Sequence, residues 1–427
     1  MEHFPEDRRI SFAVTESVTF KAIFSSEHRT RPDIAGTYPG QPAPAAPQSW
    51  DWNRCPIDME LKSKEDKCPI RDNNILRGNV HAATLTQIAK NGRNILAASG
   101  ACFCFVIGIY GNSGRIYRFD HARVLISPSF AIKETTPSEN ILFRFLWRIV
   151  YPTLPKQSLY GNTLPAPKLV GLDATVTTLT EEDKAWLQET LINRQNYQAN
   201  RADECVRHSK KMVAMYMPPN SDSAVQPVAT WCYTIGKPLS QSSGLFSRAT
   251  KVFKVLFRED PDRFFAVKDS WRQVYRQNEI DFYNHVRNCY GDYPRGLAQG
   301  IGAIDFGLDT RFPWHRTKSH ETSAAEDALA SGQAGKDEEL EQQQPGPTLT
   351  GAHEALFPLQ LPQVEIRKAG DVDLNRTLTR TTTYPVGEPI VGFTSTKQLV
   401  EAIQDAIEGT SFKYRQFLCS LVVVERK

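Results

Sequence analysis

Three strand-like runs follow one another closely in the second half of the chain, and a helical pattern comes directly after them. The runs are "TWCYTIGKPL", "KVFKVLF" and "RFFAVKDSW", and the helical pattern covers Gln273 to Asn288. Consecutive strands with short connections favour sheet neighbours. A helix placed after the third strand has to cover one face of that sheet. This order predicts an α+β unit that begins near Val228.

The predicted helix carries a glutamate on its apolar face. The apolar residues that share this face with Glu279, three, four or seven positions away, are Tyr275, Phe282, Tyr283 and Val286. A carboxylate in such a place is costly unless a cation or hydrogen bonds meet it. Lys268, at the end of the third strand, is the predicted partner. The residues alone leave two interpretations open: an ordered pair that holds the phosphates of ATP, or an ordinary ion pair whose glutamate reaches solvent at the rim.

Asp305-Phe306-Gly307 has the three letters of the metal-binding loop of protein kinases. In a kinase, two strands, a hinge, a long helix and the catalytic loop lie between the helix glutamate and that loop. The interval between Glu279 and Asp305 is too short to hold them. The sequence therefore predicts that Asp305 is not a metal ligand. "WHRT" at Trp314–Thr317 comes after this triplet and lacks the aspartate, so it does not make a catalytic loop either.

Several runs resemble the fungal-type protein kinase family, a divergent branch of the protein kinase-like fold. The main ones are "SRATKVFKVLFREDPDRFFAVKDSWRQVYRQNEIDFYNHV" and, later, "TYPVGEPIVGFTSTKQLVEAIQDAIEG", and the motif that carries the resemblance is Lys-Asp-Ser-Trp-Arg followed by Glu279. "RPDI", "SWDW", "MELK" and "YRFDHARVLISPSF" are similar to the upstream region of that family.

The resemblance implies ATP-dependent phosphoryl transfer to protein serine or threonine, with ATP and Mg²⁺ as cofactors. By this resemblance Lys268 anchors the phosphates and Glu279 is its helix partner. The segment Ser242–Thr250 covers the phosphates, so that Thr250 belongs to the nucleotide site, and Val252 lies on the strand that roofs the adenine.

Two departures from the family pattern bear on activity. Ala249 stands where the family usually has a glycine in the phosphate loop, and its methyl group hinders close approach of the backbone to phosphate. After the helix "TKQLVEAIQDAIEG" the chain reads "TSFKYRQFLCSLVVVERK", with no His-Arg-Asp loop and no metal-binding aspartate. The sequence thus predicts a truncated or pseudokinase form that binds nucleotide weakly and does not transfer phosphate alone.

A second group of polar residues lies near the N-terminus. "RPD" ends at Asp33 and "ELK" spans Glu60–Lys62, and on the alternating strand "PIDMELK" Asp58 shares a face with Glu60 and Lys62. This pattern resembles the PD-(D/E)xK nuclease fold, which implies that Asp33 and Glu60 hold Mg²⁺ and that Lys62 polarises the attacking water. Gln87, on the following helix, is a further polar residue of such a site. The alternative is a solvated strand face with a Glu–Lys pair.

The predicted fold class is α+β, with an N-terminal α/β domain that resembles the PD-(D/E)xK fold and an incomplete protein kinase-like N-lobe with hinge and first C-lobe helix. The predicted segments are the N-terminal domain 1–155, a connecting region 156–225, the N-lobe 226–317, a disordered insertion 318–352, the hinge and first C-lobe helix 353–409, and an atypical tail 410–427. Further helices are predicted over Ala82–Ala98, Ser138–Val150 and Glu181–Gln195, with a hairpin over Phe103–Asp120.

Composition limits the partners and the compartment. A net charge of +3 makes nucleic acid an unlikely partner, and the longest apolar run, "GACFCFVIGIYG", is too short to span a membrane. Eight scattered cysteines without zinc spacing and the lack of a signal peptide indicate an intracellular protein, cytoplasmic or nuclear. A third hypothesis is a non-catalytic regulatory or scaffold protein whose insertion at 318–352 binds partners; the sequence names neither a protein substrate nor a regulatory partner.

Overall fold

Two eight-stranded sheets carry most of the chain's ordered structure. The computed structural model describes residues 4–21, 23–24, 30–72, 74–133, 140–151, 157–159, 162–164, 171–218, 226–291, 297–308, 316–317, 364–367, 375–387, 395 and 400. The elements up to residue 164 are β1 (Phe12–Val14), β2 (Ile34–Gly36), β3 (Ile57–Lys62), β4 (Ile70–Arg71), β5 (Asn74–Ile75), α1 (Asn79–Ser99), β6 (Phe103–Tyr110), β7 (Ser113–Asp120), β8 (Arg123–Ile126), β9 (Phe130–Ala131), α2 (Ile141–Val150), β10 (Gln157–Leu159) and β11 (Asn162–Leu164). The later elements are β12 (Val176–Thr178), α3 (Glu181–Asn193), α4 (Ala199–His208), β13 (Lys210–Tyr216), β14 (Val228–Thr234), β15 (Ser240–Gln241), β16 (Lys251–Phe257), β17 (Asp260–Gln273), α5 (Glu279–Tyr290), β18 (Gln299–Asp305), β19 (Val364–Arg367) and β20 (Arg376–Tyr384).

The first sheet has the strand order β1-β2-β3-β6-β7-β8-β19, with β9 paired to β7. Strands β3 and β6 are parallel, and α1 makes the crossover between them. The other pairs within this sheet are antiparallel. Helix α1 packs on the sheet so closely that a side chain at Gly92 would collide with the ring of Phe119. This close approach buries the face of β3 that lies under α1.

The second sheet has the order β12-β13-β14-β16-β17-β20-β18, with β15 paired to β16. Strand β20 lies between β17 and β18, although it follows both in the chain, and α5 connects β17 to β18. Strand β17 is therefore paired along both edges. An internal cluster that includes Phe257, Phe265 and Val267, each 0% exposed, fills one side of this sheet.

One hydrophobic cluster joins the two sheets. It contains Phe103 and Phe105 of the first sheet together with Val213, Trp271 and Leu378 of the second. Because the same core is lined from both sheets, the N-terminal and C-terminal units pack against each other as parts of one hydrophobic interior.

The structure differs from the sequence predictions at several boundaries. Helix α5 begins at Glu279, not at Gln273, because β17 continues to Gln273 and Asn278 caps the helix. Tyr275 consequently lies in the preceding turn, 63% exposed, and does not share the helix face with Glu279. Helices α1, α2 and α3 and the β6–β7 hairpin lie where they were predicted, within about two or three residues.

The connecting region 156–225 contains strands that belong to the second sheet. It holds β12 and β13, which extend the second sheet, and α4, which the sequence analysis did not predict. Strand β19 adds to the first sheet from far along the chain. The predicted disordered insertion 318–352, the predicted helix at 396–409 except residue 400, and the tail 410–427 lie outside the described residues.

Across the described residues, no helix combines the length and the apolar character that crossing a bilayer requires.

Candidate functional site

Lys268 and Glu279 meet on the surface of the second sheet. The Lys268 ammonium Nζ lies 2.9 Å from Glu279 Oε1 and 2.7 Å from Glu279 Oε2, so both carboxylate oxygens contact it. The two side chains are 31% and 36% exposed, respectively. The pair predicted from the sequence is thus formed, and it stays open to solvent on one side.

Local structure holds each partner of this pair. Lys268 is paired on both sides, with Val252 of β16 and Thr381 of β20, which fixes its direction. Glu279 is the first residue of α5, where Asn278 and Asp281 form a capping box. A carboxylate at this position interacts favourably with the positive end of the helix dipole.

A row of small side chains lies beside Lys268 on the same face of the sheet. Val252 on β16 and Thr381 on β20 are its direct cross-strand partners. Ala266, two residues before Lys268, faces the same way. Thr381 is 3% exposed, so Val252 and Ala266, which are both half-buried, form the apolar strip beside the ammonium group. Lys254, the cross-strand partner of Ala266, borders this strip.

The segment Ser242–Thr250 forms a closed loop next to this strip. The Ser242 amide donates to the Thr250 carbonyl oxygen at 2.9 Å, and the Ala249 amide donates to Ser247 Oγ at 3.0 Å. Ala249 has a φ of +42°, in the left-handed region that favours glycine. The backbone of the loop therefore adopts a glycine-type conformation at the position where the sequence carries alanine.

This loop is fixed to the N-terminal unit. Lys251 Nζ and Gln241 Nε2 both donate to the Ala97 carbonyl oxygen, at 2.8 and 3.0 Å, at the C-terminal end of α1. Leu245 and Phe246 pack on a hydrophobic cluster of the first sheet. Burial, and then the nearby Lys210, lower the pKa of Lys251 from its ordinary value to about 8. No pattern in the sequence predicted this contact.

The two acidic residues near the site have structural partners. Asp305, on β18, binds the Arg272 guanidinium and accepts a hydrogen bond from Thr377 Oγ1. Asp269, next to Lys268, faces the opposite side of the sheet and binds the buried Arg380 at 2.6 and 3.0 Å. Asp269 is therefore directed away from the Lys268–Glu279 pair, and Asp305 is occupied by Arg272 and Thr377. No group of three or more His, Cys, Asp or Glu side chains in the described part of the chain is arranged to hold a metal ion.

The N-terminal group of polar residues also comes together. Asp33 Oδ2 accepts a hydrogen bond from the Leu61 amide at 2.7 Å, the Lys62 ammonium binds Glu60 Oε1, and Lys62 Nζ lies 3.3 Å from Gln87 Oε1. Asp58 and Glu60 are both 0% exposed beneath α1. The alternative of a solvated strand face is therefore wrong, because α1 covers the polar side of β3.

Burial changes the acidity of these carboxyl groups. Desolvation, with a further contribution from Glu60, raises the pKa of Asp58 well above its ordinary range. Desolvation also raises the pKa of Glu60 to about 7, opposed by the Lys62 ammonium and reinforced by the neighbouring Asp33. Asn91 donates to Asp58 Oδ2 at 2.7 Å and is a site residue that the sequence analysis missed. Its spacing of four from Gln87 on α1 was the available signal.

Comparison with known proteins identifies the family. No curated protein and no solved structure matches the chain. A family model described as fungal protein kinase matches residues 72–416, which is most of the chain and includes the Lys268–Glu279 pair and its loop. The mixed α+β architecture is consistent with a kinase-like fold. The chain belongs to the fungal protein kinase family.

Proposed function

We propose that the second sheet binds the nucleotide of a kinase-like reaction, with the phosphates of ATP on Lys268 and the adenine on the strip formed by Val252 and Ala266. The observation that carries the proposal is the two-oxygen contact between Lys268 and Glu279. This contact holds the ammonium group at a defined place beside the loop Ser242–Thr250, and a fixed ammonium is what an α- or β-phosphate oxygen requires. Family membership supports the same chemistry.

The residues present suit a nucleotide in three respects. The ammonium is partly exposed, so a phosphate can reach it without displacing buried groups. Val252 and Ala266 on the same face as the ammonium are small apolar side chains, which suit contact with a flat base. Thr250 closes the loop that lies over the phosphates through its carbonyl oxygen. For Mg²⁺, which the family implies, the described residues around Lys268 offer no free pair of carboxylates, so the proposal concerns the nucleotide alone.

Nucleotide binding is tested by titrating the chain with ATP in a calorimeter. The Lys268→Met variant removes the phosphate-binding ammonium, and we expect it to weaken ATP binding about tenfold or more, since charge-assisted hydrogen bonds of this kind contribute about 1.5–3 kcal/mol. Lys184→Met is the matched control, because Lys184 also forms a pair with a glutamate, Glu181 at 2.6 Å, on the exposed surface of α3.

One result of this titration would contradict the proposal. ATP affinity that is the same in wild type and Lys268→Met would contradict the proposed site. Glu279→Gln is a second variant that tests the site. Because the Lys268–Glu279 pair is partly exposed, its loss should lower the free energy of unfolding by less than about 1 kcal/mol. We expect Glu279→Gln to weaken ATP binding while the melting temperature changes little.

The absence of phosphate transfer by this chain alone stays a prediction. It is checked by incubating the purified chain with γ-labelled ATP and a general protein substrate such as casein. We expect no incorporation above that of Lys268→Met. Incorporation by wild type that Lys268→Met abolishes would establish an active kinase.

A further inference from the structure

The last turn of α1 receives its positive charge from the second sheet. Cationic side chains stabilise the negative end of a helix, but the last turn of α1 contains no basic residue. Lys251 of β16 supplies the charge instead, with its Nζ 2.8 Å from the Ala97 carbonyl oxygen. Gln241 of β15 donates to the same oxygen at 3.0 Å. One carbonyl group at the end of α1 therefore binds two side chains of the second sheet.

The two donors belong to the strands that carry the loop Ser242–Thr250. Gln241 comes just before this loop and Lys251 just after it, and the two residues are direct partners in the β15–β16 ladder. Lys251 and Val252 project to opposite faces of β16. Val252 is the cross-strand partner of Lys268, on the face of the Lys268–Glu279 pair. Helix α1 thus holds the base of the loop on the face opposite the ammonium group.

Other contacts hold the rest of the loop. Leu245 and Phe246 pack on the hydrophobic cluster that α1 shares with the first sheet. Further along the loop, the Arg248 carbonyl oxygen accepts a hydrogen bond of 2.7 Å from the Trp271 amide of β17. The loop is therefore fixed mainly by the N-terminal unit, with one backbone contact to its own sheet in addition.

Helix α1 is itself held in a defined place. Asn91 donates to Asp58 at 2.7 Å and Lys62 donates to Gln87 at 3.3 Å, so two polar contacts attach the helix to β3. Gly92 leaves no space for a side chain between the helix and the first sheet. The Ala97 carbonyl group consequently has a defined position from which the loop is held.

We propose that the C-terminal end of α1 is a positioning element of the nucleotide site, which holds the loop Ser242–Thr250 in the shape that binds the phosphates of ATP. This inference rests on the proposed function, because it takes Lys268 and the loop as the phosphate site. The physical reason is preorganisation, since a loop that is already ordered does not lose conformational entropy when ATP binds. The N-terminal unit then sets the affinity for the phosphates through Lys251 and Gln241.

The positioning role is tested by calorimetric titration of the full chain with ATP and with adenosine, which has the base but no phosphates. We expect Lys251→Met and Gln241→Leu each to weaken ATP binding by about tenfold, because the loop must then be ordered during binding. Adenosine binding should not change, since the strip of Val252 and Ala266 is left intact. Misfolding would weaken both ligands together, so equal losses for ATP and adenosine would contradict the positioning role.

Lys211→Met is the matched control for these variants. Lys211 also joins two elements of the fold, because its Nζ contacts Asp183 of α3 from β13 at 3.3 Å. We expect Lys211→Met to bind ATP and adenosine as wild type does. If it weakens ATP binding as much as Lys251→Met, the contact with α1 has no special role.

The Lys268→Met variant separates this inference from the proposed function. If Lys268→Met leaves ATP binding unchanged, or if wild type does not bind ATP, the nucleotide site itself is wrong. If Lys268→Met weakens ATP binding while Lys251→Met and Gln241→Leu do not, the nucleotide site stands and the role of α1 is wrong.

Proteolysis tests the contact with α1 in the absence of nucleotide. Arg248 is exposed within the loop, so trypsin can cut after it when the loop opens. Gln241→Leu keeps every trypsin site, and we expect it to be cut after Arg248 about fivefold faster than wild type, because cleavage follows the population of the open loop. Mass spectrometry of the first fragments identifies the cut. Equal rates in wild type and Gln241→Leu would show that α1 does not hold the loop and would overturn the proposal.

Discussion

Ala249 is the residue at which the backbone of the loop Ser242–Thr250 is strained. Its φ of +42° lies in a region that costs an L-residue with a side chain roughly 1 kcal/mol or more. From the sequence, only the resemblance to a family that usually has glycine at this position marked Ala249 as unusual. The backbone angle now gives the physical reason why glycine suits this position.

The Ala249→Gly variant should therefore be more stable than wild type. We expect the free energy of unfolding to rise by about 1 kcal/mol, because glycine adopts positive φ without the steric cost, and we expect ATP to bind more tightly. Urea unfolding and ATP titration measure both effects.

The matched control is Ala229→Gly. Ala229 lies in the regular strand β14 and packs on the same hydrophobic cluster as Ala249. Glycine in such a strand should lower the free energy of unfolding by about 1 kcal/mol. If the two variants are destabilised equally, backbone strain at Ala249 is not important.

At the scale of secondary-structure elements, β3 and α1 are matched to each other by polar contacts. Asp58 and Lys62 are four residues apart on the strand, and their partners Asn91 and Gln87 are four residues apart on the helix. The alternation of "PIDMELK" predicted which residues share a face, and this was correct. It could not predict that the polar face is buried, because the same alternation describes a face toward solvent and a face toward a polar helix surface.

The contact between Asn91 and Asp58 is expected to stabilise this element pair strongly. Asn91→Ala leaves the buried Asp58 carboxyl group without its donor, and an unsatisfied buried polar group costs about 1–3 kcal/mol. We therefore expect the free energy of unfolding to fall by about 2 kcal/mol in chemical denaturation. Thr86→Ala, an exposed change on the same helix, should alter it by less than about 0.5 kcal/mol. Similar effects of the two substitutions would show that the buried contact contributes little.

Strand pairing between distant segments was the part of the fold that the sequence could not reveal. The strand-like character of the residues in β16 and β17 was evident, as was the helix that carries Glu279. By contrast, β12 has three residues and β19 has four, and β19 pairs with β8 far away in the chain. Local pattern determines whether a segment can be a strand, but burial in the complete structure determines where it pairs. The Lys268–Glu279 pair was predictable because both residues belong to neighbouring elements.

The whole molecule depends on the packing of its two sheets against each other. His121, in the turn between β7 and β8, lies in this interface, with its ring 4.7 Å from that of Trp271 on β17. Its Nε2 is 3.3 Å from the Ala101 carbonyl oxygen, a contact that the neutral ring makes as donor. Lys251 and Arg376 from the second sheet and Asp120 from the first act on it electrostatically. Protonation of His121 would place a third positive charge beside Lys251 and Arg376.

Stability should therefore fall in mild acid. Burial, and then Lys251, lower the pKa of His121 in the folded chain from 6.5 to about 4. Between these two pH values the unfolded chain binds a proton that the folded chain does not, so the stabilisation is complete above pH 6.5 and is lost as the pH falls toward 4. The difference corresponds to about 3 kcal/mol in total, of which about 2 kcal/mol is lost by pH 5. His121→Gln keeps a donor for the Ala101 carbonyl oxygen but does not titrate. Urea unfolding at pH 7.5 and at pH 5.0 measures how much stability each protein loses in acid. We expect the loss to be about 2 kcal/mol smaller for His121→Gln than for wild type. Equal losses would mean that His121 is not a buried neutral group between the sheets.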